Sequence, residues 1–330
     1  MNNFNLSVGI LFFLLNHTLD LNPALALSAD SYTLETEMNF NSKKFDQVIK
    51  DLSPQIENLD RKGLLMLGQA YFGSADYQSA VNTYNAALSL NAKDFEAKTL
   101  LAEALFKSGK KQEALVALKE AVEINSKYVP AYKALISQYE SISNKYELRL
   151  LYQDMIDSFG EKSEYVLKAC ELNTISGMHD MAKNYCQKGI NKYPNVVNNY
   201  VNLGLTLKDT GEIAEAERYL KLAAEKFSES ELAQISYAHL LNEQKNFIAA
   251  YKHYIKASQS NPNSKDAYIG IGKTGLELKK FDESLSAYKK ACFLDKTSVT
   301  EVRRAANIIR TSKNRKNLEP FEKLAENCHK

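Results

Sequence analysis

The segment with the clearest chemical signature is Gly270-Ile-Gly-Lys-Thr-Gly275, which matches G-x-G-x-x-G. Such a loop brings backbone N–H groups up to a dinucleotide pyrophosphate, but only where it follows a strand and opens a helix. Here it lies inside a helical pattern, and Ala267 stands where a phosphate-binding P-loop needs its first glycine. Close packing therefore explains the glycines better than nucleotide binding does. The histidines are His17, His179, His239, His253 and His329. None pairs with another at i, i+4, and none neighbours a Cys/His cluster with zinc spacing. No G-x-S-x-G elbow is present, and no Cys/His pair reads as nucleophile and base. Arg303, Arg304, Arg310, Lys313, Arg315 and Lys316 form a basic run with no acid between 303 and 316. Without interleaved aromatics for base stacking, the run reads as a solvated face before it reads as a site for nucleic acid or an anionic membrane. No catalytic residue, metal site or cofactor is expected.

Composition narrows the rest. A chain of 330 residues has room for about two average domains or one extended repeat array. With 25% charged and 45% hydrophobic residues it is globular in composition. Only 13 Gly and 6 Pro leave little turn material for an all-β fold and favour long helices. Lys+Arg 42 against Asp+Glu 40 gives +2, so no bulk charge demands a polyanionic partner. Four Cys read as no disulfide framework and fit no paired C-x-x-C zinc pattern.

The apolar run Val8 to Leu15 is too short to span a bilayer, which takes about 20 helical residues. It suits the core of a secretory signal, with Ala24-Leu25-Ala26 as a cleavage pattern, so residues 1–28 are expected to be a leader. Against this, no Lys or Arg precedes Lys43. The expected location is accordingly outside the cytosol, periplasmic in a bacterium, and cytoplasmic if the leader is no signal. Asn16-His17-Thr18 fits a glycosylation acceptor but falls in the leader.

Self-similarity organises the remainder. From Arg61 a step of 34 yields seven frames without insertion, covering residues 61–298. The eighth position carries Gly68, Ala102, Ile136, Cys170, Gly204, Ala238 and Gly272. The twentieth carries Ala80, Ala114, Leu148, Ala182, Ala216, Ala250 and Ser284; the twenty-seventh carries Ala87, Ala121, Met155, Gly189, Ala223, Ala257 and Ala291. Positions 4, 7, 8 and 11 share one face of a first helix, and 20, 24 and 27 one face of a second. Small residues where the faces meet let two backbones approach, and a turn falls near the fifteenth position at Gly109, Gly177 and Gly211. Pro194 and Pro262, at the thirty-second, mark where second helices stop.

Leu67 to Leu88 and the closure Ser260-Asn261-Pro262-Asn263 carry a resemblance to the tetratricopeptide repeat family. The pattern departs at the fourth position, where the usual Trp is never found and Lys98 and Gln234 stand instead. The resemblance implies an all-α, right-handed superhelical solenoid of antiparallel helix pairs, with a concave groove lined by the first helices. Residues 29–60 look like a degenerate further repeat whose helix is interrupted by Pro54, and residues 299–330 like a capping helix pair.

The resemblance also implies that positions 2, 5, 9 and 12 of each first helix point into the groove. The fifth is Leu65, Thr99, Lys133, Leu167, Val201, Ile235 and Ile269, an apolar stripe in five of seven repeats, extended by Phe72, Phe106 and Leu205. This stripe is either exposed for a ligand or packed against neighbouring first helices. Beside it stand Gln69, Glu103, Ser137, Glu171, Lys208, His239, Asn242 and Lys273, mixed in sign. Such a rim suits an amphipathic helix or extended peptide. The expected role is a non-catalytic protein-interaction scaffold with a protein or peptide partner, without nucleic acid or an integral membrane span. The alternative is an accessory subunit of an envelope enzyme or secretion machine.

Cys170 and Cys186, at the eighth and twenty-fourth positions of one repeat, face each other across its seam. They form a disulfide in an oxidising compartment or serve as two small buried thiols. Cys292 and Cys328 are less well placed. The repeat 129–162 has Ile136, Leu148 and Met155 at all three close-contact positions, so its helices are expected to stand further apart.

Overall fold

The computed structural model describes residues 32–312 and 315–328. The expected leader, His17, the glycosylation acceptor, Lys313 and His329 lie outside the described residues. Eighteen α-helices and no strand occur among the described residues, and the fold is an all-α solenoid. The chain divides into two compact units, the first ending at Asn125 and the second starting at Ser126.

The first unit holds α1 (Leu34–Asn41), α2 (Phe45–Leu52), α3 (Arg61–Gly73), α4 (Tyr77–Leu90), α5 (Phe95–Lys107) and α6 (Lys111–Ile124). After α2, Pro54 falls in a 3-10 segment, Ser53–Asn58. The second unit opens with α7 (Val129–Ser141), α8 (Lys145–Phe159), α9 (Ser163–Ile175) and α10 (His179–Lys192). It continues with α11 (Val197–Asp209), α12 (Ile213–Lys226), α13 (Glu231–Glu243) and α14 (Phe247–Ser260). Its last four helices are α15 (Lys265–Glu277), α16 (Phe281–Leu294), α17 (Val299–Thr311) and α18 (Leu318–Asn327).

The turn inside each repeat recurs in register. Ala75, Gly109, Ser143, Gly177, Gly211, Lys245 and Lys279, all fifteenth positions, lie in the left-handed region with φ from 53° to 87°. The following residue donates its N–H to a carbonyl five back, as Lys110 does to Leu105 and Lys280 to Gly275, which closes the first helix in a Schellman arrangement. Lys43 carries the same conformation between α1 and α2. Capping side chains start many of the helices: Asp60, Asp76, Asp94, Asn144, Ser230, Asn246 and Ser264 each accept a backbone N–H from the first turn.

Between the two helices of a repeat, the eighth and twenty-fourth positions meet as small against large. A Cβ on Gly68 would lie 2.4 Å from the Tyr84 ring, one on Gly204 2.6 Å from Leu220, and one on Gly272 2.7 Å from Tyr288. Tyr84, Leu220 and Tyr288 are fully buried there. Cys170 and Cys186 occupy the same two positions and are joined as a disulfide, their Cα atoms 4.8 Å apart. Cys292 and Cys328 are joined as well, at 5.3 Å, which corrects the view of them as poorly placed. Cys292 sits on α16 and Cys328 just after α18, and α18 folds back beside α16 to bring them together. Closing loops of 16 and 36 residues stabilises the chain by about 3 and about 4 kcal/mol in the loop-entropy account.

Helices α7 and α8, which carry Ile136, Leu148 and Met155, approach each other less closely than the pairs of the other repeats. Leu148 and Met155 are buried, so bulk rather than exposure separates these helices.

Three outcomes follow from this packing. Thiol titration of the denatured, unreduced chain should find no reactive thiol. Lys279→Gly should raise the unfolding free energy, read from denaturant melts, by about 0.5–1 kcal/mol, because a side chain in the left-handed region is strained. Gly68→Ala should cost about 1–3 kcal/mol by driving a methyl into Tyr84.

Candidate functional site

In the first unit, Leu65 and Thr99 are buried, and Thr99 Oγ1 donates to the Phe95 carbonyl at 2.8 Å. Gln69, Phe72 and Phe106 are half-buried, with Phe72 edge-on to Tyr77 at 5.4 Å. Glu103 reaches solvent, yet nearby protein desolvates its carboxyl enough to raise its pKa above the ordinary value.

In the second unit, Val201 is only 1% exposed. Leu167, Glu171, Leu205, Lys208, Ile235, Asn242 and Ile269 are half-buried, while Lys133, Ser137, His239 and Lys273 are exposed. The expected stripe is therefore no open apolar ribbon. Successive first helices α9, α11, α13, α15 and α17 pack side by side. What stays open is the polar rim with half-covered Leu167, Ile235 and Ile269 between its members.

The rim neutralises itself. Lys168 pairs with Glu171 at 3.1 Å and Lys208 with Glu243 at 3.0 Å. Glu301 receives both Lys273 at 2.9 Å and Arg304 at 2.6 Å. Beside this last cluster lies a cavity of about 250 Å³, lined by Asn242, Phe247, Lys273, Leu276, Arg304 and Ile308 among others. Asn242 and Lys273 were expected at the groove; Phe247, Glu301, Arg304 and Ile308 were not. The i, i+3 spacing of Glu301 and Arg304 was the available signal, hidden because Arg304 reads as part of the basic run. The run is partly neutralised, since Arg310 pairs with Glu322 at 2.6 Å.

The Gln234 departure from the repeat pattern is now accounted for. Gln234 is fully buried, and its Nε2 donates to the carbonyls of Ala224 at 2.7 Å and Ser228 at 3.1 Å. Its Oε1 thus faces His253 Nδ1 at 2.7 Å, which must carry the proton. His239 Nδ1 lies 3.1 Å from the Tyr254 hydroxyl. The glycines of G-x-G-x-x-G are buried inside α15: added Cβ atoms at Gly270, Gly272 and Gly275 would meet Tyr254, Tyr288 and Ser284.

Three models of the tetratricopeptide repeat match this chain, at residues 71–139, 200–227 and 265–297. They fall on the helix pairs and turns already described. Over these stretches the chain carries tetratricopeptide repeats. Among curated proteins, Superkiller protein 3 of Schizosaccharomyces pombe is 29% identical over 140 residues, which is 42% of this chain and 9% of that protein. A solved tetratricopeptide repeat protein from Parabacteroides merdae shares 16% identity, with 79% of this chain and 98% of that chain covered and a TM-score of 0.45. YrrB, described as a TPR protein with an unusual peptide-binding site, also shares 16% identity, with 67% and 97% covered and a TM-score of 0.37.

Tetratricopeptide repeat proteins bind peptides or proteins. In this one, no group of three or more His, Cys, Asp or Glu able to hold a metal ion occurs among the described residues. No described helix is long and apolar enough to cross a membrane. Nearby protein desolvates the imidazoles of His239, although its side chain reaches solvent, and of half-buried His253, which holds both pKa values below the ordinary value; Lys273 and Lys208 reinforce this at His239 and Lys256 at His253, while Glu243, Asp266 and Glu225 oppose it. A depressed imidazole favours the folded state in its neutral form, so protonation shifts the balance toward the unfolded chain. Stability should be full above about pH 6.5, the unfolded value, and decline as the pH falls below it. Melting curves between about pH 7.5 and 5.5 test this, and His253→Asn, which keeps a donor for Gln234, should lessen the decline.

Proposed function

We propose that this chain is a non-catalytic interaction scaffold that holds a partner helix or extended peptide against the groove face of its first helices, outside the cytosol in the cell envelope. The cavity beside Lys273, Glu301 and Ile308 carries the reading. It lies between side chains of three consecutive first helices, α13, α15 and α17, so an elongated ligand would touch several repeats at once. Its walls combine Phe247, Leu276 and Ile308 with paired charges, a setting for one apolar anchor fixed by polar contacts. The self-neutralised rim favours a mixed-sign ligand over a strongly acidic or basic one. Two disulfides support an oxidising compartment, since such bonds persist where thiols are not kept reduced.

A photo-crosslinking residue placed at Ile308 or His239 should trap a partner in cells, whereas one at Leu222 or Ile248, both exposed on second helices, should not. Ile308→Asp, at a position 53% exposed, should lower partner capture at least about tenfold with unchanged circular dichroism. Equal adducts from second helices would place the ligand elsewhere. Cell fractionation decides the compartment.

A further inference from the structure

A second concavity lies on the side of the second helices, away from the residues just assigned to the groove. Helices α16 and α18 enclose about 760 Å³ there. Its apolar floor includes Leu285, Leu324 and the Cys292–Cys328 disulfide, and Phe293 stands at its edge with 82% of its surface exposed. Lys289 and Lys296 on one wall and Lys323 on the other line the same space, with no acidic residue among the lining side chains. None of these three lysines has an ion-pair partner among the described residues. Asp295 and Glu322, next in sequence to Lys296 and Lys323, are paired elsewhere: Asp295 to Lys265 at 2.9 Å and Glu322 to Arg310 at 2.6 Å.

This is the reverse of the groove rim, where charges are paired within the chain. Three unpaired ammonium groups around an apolar floor repel one another, and a ligand bringing carboxylates relieves that repulsion while covering Phe293. We propose that this concavity docks an acidic amphipathic segment of a partner protein, its apolar side chains on Leu285, Leu324 and the disulfide and its carboxylates at Lys289, Lys296 and Lys323. Peptide fits better than an anionic bilayer. The lysines line two facing walls of a depression, whereas a bilayer is met by apolar and basic groups displayed together on one outward face. The proposal does not depend on the groove reading, because the two surfaces share no residue.

The test uses the full oxidised chain and fluorescence anisotropy. One probe is a short labelled helical peptide with Glu on its polar face and Leu and Phe on the other; the second has Lys for every Glu. The acidic probe should bind saturably and more weakly at high salt, and the basic probe should not bind. Lys289→Glu with Lys323→Glu, both at exposed positions, should weaken the acidic probe at least about tenfold, while Ile308→Asp should leave it unchanged. Absence of saturable binding, or binding indifferent to the charge reversal, would overturn the proposal. So would Lys289- and Lys323-dependent sedimentation with phosphatidylglycerol vesicles in place of peptide binding, or a concentration-dependent dimer that the charge reversal abolishes. Loss of groove crosslinking with acidic-probe binding intact would separate failure of the groove reading from failure of this one.

Discussion

The close approach of two antiparallel helices within each repeat is the constraint on which the architecture rests. A backbone can come near its neighbour only where one partner at the seam is small, and the other must then be large enough to leave no void. Gly68 beneath Tyr84, Gly204 beneath Leu220 and Gly272 beneath Tyr288 are instances of one solution. The left-handed residue at the fifteenth position belongs to the same geometry, since the chain must reverse within a few residues for the faces to meet in register. Even lysine accepts that conformation at 245 and 279, which shows that the seam outweighs local preference there.

Where the constraint is relaxed, the array changes character. Ile136, Leu148 and Met155 place bulk at each contact of one repeat, and α7 and α8 separate. The boundary between the two compact units falls at Asn125 and Ser126, immediately before that repeat. In the next repeat the same seam holds two cysteines, and a covalent bond replaces the small-against-large contact.

Function is left with what this packing does not consume. Packing buries Leu65, Thr99 and Val201, so the proposed binding face is left with polar side chains and half-covered aliphatics. Its lysines and glutamates pair among themselves along consecutive repeats, as Lys208 does with Glu243 and Lys273 with Glu301. The outer concavity at α16 and α18 differs because its lysines have no such partners among the described residues. The two surfaces therefore favour ligands of different charge.

The helix pairs, their 34-residue period and the turn position were legible in the sequence because each follows from spacing along one helix or one turn. The same holds for the glycines of G-x-G-x-x-G, whose place in the helical period marks them as seam residues. The Cys170–Cys186 contact was legible as a juxtaposition, since both lie in one repeat. The burial of Val201 was not, because it depends on how neighbouring repeats lie against each other, and no residue pattern within a repeat records that. Nor was the partner of Cys292: Cys328 lies beyond the gapless frames, and only the return of α18 beside α16 brings it within bonding distance. Glu301 and Ile308 were hidden for the same reason. Local periodicity determines helices and seams, whereas exposure and cavities arise from contacts between repeats, which tertiary packing alone decides.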